Sequence, residues 1–209
     1  MVSARTSRWL ALVGATLVLA GCVNQRKIRL HSNQPLGADD YEEVLEAWTR
    51  SDEIYHQLGS VLFAHVTFHS SELRRAFLLR HPNVYGPGSE EAARLALTRI
   101  DAEPGLEFFL SASTTEPQWN EFDRADSIWR ITLQIDEDPP LDGEVSRVKT
   151  SANLRVIYPF ISDFAKTYRV RFPNAVEGAP VLTPLTRNVR MRIISALGEG
   201  VLHWQLKPS

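Results

Sequence analysis

The apolar pattern of this chain predicts a mainly β fold, an immunoglobulin-like antiparallel β-sandwich with an N-terminal helix and inserted helices. Two observations carry that reading. About seven stretches alternate apolar and polar side chains with period two, as strands with one buried face do. Residues that favour turns separate them, at a strand count that suits a sandwich. An α+β fold, with helices covering one face of a single sheet, is the alternative.

The elements follow in order. Asp39 and Asp40 can cap a helix, Glu42 and Glu43 complete capping boxes, and Tyr41, Val44, Leu45 and Trp48 form one apolar face. A second helix is expected after Ser70 and Ser71, with Leu73, Ala76, Phe77 and Leu79. A third is expected after Ser89, with Leu95, Ala96 and Ile100. His81-Pro82 and Pro87-Gly88 should break the chain between them. Leu62, Ala64, Val66 and Phe68 share one strand face, with His65, Thr67 and His69 on the other. Leu106 to Ala112, Trp129 to Ile135, Tyr168 to Phe172 and Val189 to Ile193 repeat that alternation. Leu154, Val156 and Tyr158 make a weaker run closed by Pro159. Gly198-Glu199-Gly200 then turns the chain into Leu202, Trp204 and Leu206.

The first residues read as an address. Arg5 and Arg8 precede an apolar run from Trp9 to Ala20, and no acidic residue occurs before Asp39. A span of the bilayer core takes about 20 apolar residues, so this run is of secretory length. Leu19-Ala20-Gly21-Cys22 resembles the lipobox of bacterial lipoproteins. That resemblance implies diacylglycerol on the Cys22 sulfur, cleavage before Cys22 and acylation of the new amino group. Residues 1–21 are then a signal peptide, 22–37 the lipidated cysteine and a flexible tether, and 38–209 a single globular domain. Val23, rather than Asp, follows the cysteine, which by the same resemblance implies the outer membrane, facing the periplasm. The stretches "FAHVTFHSSELRRAF", "SIWRITL", "TYRVRFP" and "GVLHWQL" are similar to uncharacterised lipoproteins of diderm bacteria, a group that brings no activity with it.

Composition agrees with that address. Cys22 is the only cysteine, so an exported domain would hold no disulfide, and a lipidated sulfur is no nucleophile. Two arginines leave with residues 1–21, moving the formal charge from -2 to -4. Mild acidity argues against a nucleic-acid partner, which calls for a basic stripe. Two or more acyl chains would hold the chain stably at a membrane, each buried methylene contributing ~0.8 kcal/mol. Arg26, Lys27 and Arg29 in the tether can also rest on anionic headgroups.

Signatures of chemistry are few. Gly86-Pro87-Gly88-Ser89-Glu90 is not a nucleophile elbow, and neither a His-Glu-x-x-His nor a P-loop occurs. No cofactor beyond the covalent lipid is expected. His65 and His69, with Glu72 beyond, are donors of the kind zinc takes. Four residues along a strand cover ~13 Å, however, too far for one ion without a bend. Asp136 and Asp138 open an acidic loop whose carboxylates could draw calcium, but Pro140 departs from the EF-hand pattern. Polar residues on a wet face, and a solvated hairpin, account for both without an ion.

Arg169 and Arg171 share a face of one strand, and Arg190 and Arg192 of another. If those strands pair, four guanidiniums form a patch suited to an anionic partner such as lipid headgroup, peptidoglycan or an acidic protein face. The leading expectation is thus a non-catalytic, membrane-anchored envelope lipoprotein that presents its sandwich to a partner. A carrier or chaperone is the second, binding an apolar ligand between sheet and helices near Trp48, Phe77, Phe109 and Trp119. A hydrolytic enzyme with a non-contiguous site is the remote third.

Overall fold

The structure is a computed structural model, and it describes residues 28–29, 37, 40–85 and 106–207. Cys22, the lipobox, Asp39 and the helix expected after Ser89 lie outside those residues. The described elements are β1 (Ile28–Arg29), α1 (Tyr41–Trp48), β2 (Thr49–His56), β3 (Gly59–Phe68), α2 (Ser71–Tyr85), β4 (Leu106–Thr114), β5 (Arg130–Ile135), β6 (Leu141–Asp142), β7 (Glu144–Val148), α3 (Ala152–Ile157), β8 (Lys166–Phe172), β9 (Ala175–Val176), β10 (Ala179–Pro180), β11 (Asn188–Ser195) and β12 (Gly198–Lys207).

These strands form the expected mainly β sandwich of antiparallel sheets. Sheet I has the order β2-β3-β4-β8-β7 and sheet II the order β1-β12-β11-β5-β6, with β9 and β10 a separate hairpin. Period-two alternation sends Leu62, Val66, Phe68, Phe108, Leu110 and Tyr168 of sheet I inward, against Leu133, Met191, Ile193, Leu202 and Trp204 of sheet II; all are buried. Phe108 joins the layers, its ring 4.7 Å from that of Phe68 and 5.5 Å from that of Trp204. Such aromatic contacts add about 0.5–1.5 kcal/mol each to the burial itself.

The sheets adjoin at both sides. The chain leaves sheet II at β6 and enters sheet I at β7 through Gly143, where a Cβ would lie 2.9 Å from Phe172 Cζ and Val170 Cγ1. At the opposite side β2 lies beside β12 without ladder pairing. Arg50 Nε donates to the His203 carbonyl at 2.9 Å, and Asp52 accepts from the Val201 N–H at 2.7 Å.

Helix α1 follows its apolar stripe, with Tyr41, Val44, Leu45 and Trp48 buried. Asp40 stands at its N-cap, but its carboxylate accepts from the Gly37 N–H at 2.7 Å rather than from a helical amide. The carbonyl of Trp48 accepts from Trp204 Nε1 at 3.0 Å, which ties the helix end to sheet II. Helix α2 starts where the sequence predicts, the Ser70 hydroxyl accepting from the Leu73 N–H at 3.1 Å. An Arg80–Glu42 ion pair links it to α1.

Four expectations need correction. Leu154, Val156 and Tyr158 do not form a strand: Ser151 caps α3 by accepting from the Leu154 N–H at 3.2 Å, so the segment is helical. Helix α2 does not stop at His81-Pro82 but continues to Tyr85, although Pro82 withdraws one backbone donor. Part of the expected tether joins the fold, since Ile28 pairs with Leu206 in parallel and is buried. Finally, the outer face of sheet I is not wet. Thr67, Phe109, Ser111 and Thr167 point outward from their strands and are buried all the same, because α3 and the chain after it return across that face.

Candidate functional site

The covered outer face of sheet I holds a connected polar group built around Glu107. In the β4–β8 ladder Glu107 stands opposite Arg171, and Phe109 opposite Arg169, so all four side chains share one face. His69 follows β3 and is fixed by its own N–H, which donates to the Glu107 carbonyl at 3.0 Å. Its ring then bridges two partners: Nδ1 lies 3.1 Å from Glu107 Oε1, and Nε2 lies 2.8 Å from the Tyr158 hydroxyl. Arg169 Nε and Arg171 Nε each lie 3.3 Å from Glu107, one at either carboxylate oxygen.

Glu107 is therefore one carboxylate among three basic side chains, and only 12% of its side chain is exposed. Burial acts to raise its pKa, but the hydrogen bond and charge of His69 together with Arg169 and Arg171 hold it down at about 2. An ionised carboxylate accepts hydrogen bonds only, so His69 donates to Glu107 from Nδ1–H; a neutral ring then accepts the Tyr158 O–H at Nε2, and a protonated ring donates to the Tyr158 oxygen instead.

A Tyr-His-Glu chain has the outline of a nucleophile, base and orienting carboxylate. Its energetics are those of a pin. Burial raises the Tyr158 phenol well above its ordinary pKa, with Tyr41 and Glu107 adding to the effect and Arg169 opposing it. The hydroxyl thus stays protonated at neutral pH, and the ring is held flat on Phe109 at 4.0 Å and 9°.

Beside this pin lies a pocket of about 320 Å³ between sheet I and the three helices. Tyr41 of α1, Leu73 and Phe77 of α2, Phe109 of β4, and Leu154 and Ile157 of α3 form its apolar walls. Arg74, His69, Glu107 and Arg169 supply its polar edge. That combination, apolar walls with a few placed polar groups, is typical of small-molecule sites, and the volume stands at the lower end of their ~300–1,000 Å³ range. Of the four aromatics the sequence offered as lining, Phe77 and Phe109 are present. Trp48 is instead a core residue whose Nε1 donates to Glu72 at 2.8 Å. Trp119 lines a separate, polar hollow of about 250 Å³ with Glu121, Arg124 and Asp126.

The other sequence candidates disperse. Arg169 and Arg171 belong to sheet I, whereas Arg190 and Arg192 lie on β11 of sheet II, whose neighbours are β12 and β5. The condition for a four-arginine patch was pairing of β8 with β11, and it fails. Arg190 donates to Gln134 at 3.3 Å, and Arg192 forms an ion pair with Glu199. His65 leaves His69 and stacks on Phe160 at 5.1 Å, where burial lowers its pKa. Asp136 closes the β5 end of its hairpin, accepting from the Asn188 N–H at 2.8 Å and the Arg187 N–H at 3.1 Å. The carbonyl of Asp138 accepts from Gln134 at 3.2 Å. Among the described residues no group of three His, Cys, Asp or Glu side chains is placed to hold a metal ion.

Glu107 was missed by the sequence reading. Its signal is the sole charge within "LEFFLSAS", at residues 106–113, opposite a strand that alternates arginines.

No protein-family model matches the chain, and no curated protein matches it. Among solved structures it is similar to a novel protein of unknown function from Burkholderia pseudomallei. The two are 10% identical, with 84% of this chain and 93% of the other covered and a TM-score of 0.43.

Proposed function

We propose that this protein is a non-catalytic, lipid-anchored cell-envelope protein that binds an apolar ligand in the pocket between sheet I and its helices. The pocket carries the reading: its walls come from three helices and a strand, and its one polar edge is already ordered by the Glu107 cluster. The lipobox supplies the address, at the outer membrane facing the periplasm. Membrane contact runs through the acyl chains on Cys22, and no nucleic acid is involved.

Two measurements test this. Wild-type chain should take up radiolabelled palmitate and Cys22→Ala should not; uptake that is absent from wild type, or that persists in Cys22→Ala, removes the anchor. Solvent extraction of the full chain, purified from its own membranes, should release an apolar molecule in near-stoichiometric amount. Leu154→Arg, which places a charge in the pocket wall, should abolish that release. A pocket that is empty in wild type, or equally loaded in the variant, contradicts the binding role.

Presentation of the sandwich to an envelope protein or peptidoglycan is the second reading. It is favoured by the β2–β3 hairpin tip, where Leu58 is 103% and Tyr55 61% exposed. Crosslinking from Leu58 in cells should recover one defined partner, and diffuse labelling speaks against it.

A further inference from the structure

The polar edge of the pocket brings a cation, Arg169, beside a carboxylate that is already shared. Among the described residues Glu107 is the one carboxylate lining the cavity, and it is shared by Arg169, Arg171 and the Nδ1–H of His69. Arg169 Nε lies 3.3 Å from Glu107 Oε1, and the Arg169 side chain is 44% exposed. Arg169 lines the cavity, and among the described residues its guanidinium donates no hydrogen bond, so its donors are available to a carboxylate there.

The position of the cavity along the sandwich adds a second argument. Strand β12 runs from Gly198 to Lys207, and Ile28 joins it at Leu206. Strand β2 lies antiparallel to it, Asp52 facing Val201 and Arg50 facing His203, and Thr49 pairs with Thr67 of β3. His69 and the pocket therefore lie at the Leu206 end, away from the Leu58 tip. Only five residues lie between Cys22 and Ile28, six steps of chain with a reach of at most ~22 Å. A chain anchored at Cys22 holds the pocket near the bilayer that anchors it.

Resting on the proposed apolar-ligand role, we infer that the ligand is an amphiphile with one acyl-type chain and a carboxylate head, the chain lying against Phe77, Phe109, Leu154 and Ile157 and the head meeting Arg169. Its source is the fatty-acid pool of the adjoining membrane. The aliphatic tail removes apolar wall from water, and the head meets a cation that Glu107 leaves partly free.

Photoactivatable probes test this on the full acylated chain reconstituted in phosphatidylcholine vesicles, whose neutral surface concentrates no anion. A diazirine-bearing decanoate and the matching decanol are irradiated with the protein, and the labelled peptides are mapped. The carboxylate should label the α3 and β4 peptides, and the alcohol should label them about tenfold less. Arg169→Gln should lower carboxylate labelling to the alcohol level and leave alcohol labelling unchanged. Equal labelling by both probes overturns the carboxylate head and leaves the pocket standing. Labelling of neither overturns the pocket itself. Carboxylate labelling undiminished in a folded Arg169→Gln chain overturns the role of Arg169. If that variant does not fold, the wild-type comparison of the two probes still decides the head.

Discussion

The Tyr158 ring lies 4.0 Å from that of Phe109 at an interplanar angle of 9°. Those residues are far apart in the chain, and their contact fastens the segment after α3 to the outer face of sheet I. The hydroxyl of the same tyrosine reaches His69, so one side chain serves both the packing and the polar cluster. Pocket and cover are a single structural unit.

That unit can be taken apart by substitution. Tyr158→Phe keeps the stack and removes one buried hydrogen bond, for a loss of about 1 kcal/mol. Tyr158→Ala removes the ring as well and should cost about 3–5 kcal/mol. Urea unfolding of the two variants checks the difference; equal losses would mean that the ring does not hold the cover.

Acid should destabilise the fold in two steps. Burial lowers the pKa of His65, and burial with Arg190 and Arg50 lowers that of His203. Below pH ~6.5 the unfolded chain gains protons that the native chain refuses, so stability falls as pH falls. Glu107 is depressed from 4.5 to about 2, so its contribution is complete above pH 4.5 and is lost as pH drops towards 2. That second step is worth at most about 3 kcal/mol. Urea midpoints at pH 7.5, 5.5 and 3.5 should decline in order. His65→Gln should shrink the first drop and Glu107→Gln the second.

Gly143 marks the crossing between sheets, and a methyl group there would press on Phe172 and Val170. Gly143→Ala should therefore cost roughly 1–3 kcal/mol by overpacking. A thermal melt unchanged from wild type would show that the crossing has slack.

The separated arginines make the opposite forecast. Arg192 and Glu199 both reach solvent, where screening and side-chain entropy leave an ion pair with little effect on stability. Arg192→Ala should leave both stability and palmitate uptake close to wild type, within the error of a denaturation curve.

Much of the fold is legible in the sequence, since period two governs most of it. Leu62 to Phe68, Tyr168 to Phe172 and Val189 to Ile193 bury the residues that their alternation selects. Where the pattern was thin, local chemistry decided. Three alternating residues at Leu154 to Tyr158 could not outweigh a serine cap. Strand order is harder to read, because alternation says which face is buried but not which strands are neighbours. Arg171 and Arg190 therefore looked like partners and stand on different sheets. The pocket depends on that same long-range information. His69, Glu107, Tyr158 and Arg169 come from four separate segments, and only the β3-β4-β8 ladder with the returning cover brings them together.

Native mass spectrometry of the acylated full-length chain, released from phosphatidylcholine vesicles with and without decanoate, tests the central claim most directly. One decanoate should bind per chain and be lost in Leu154→Arg, while the covalent mass on Cys22 stays the same. An absent adduct, or one that survives Leu154→Arg, would contradict the pocket as the seat of function.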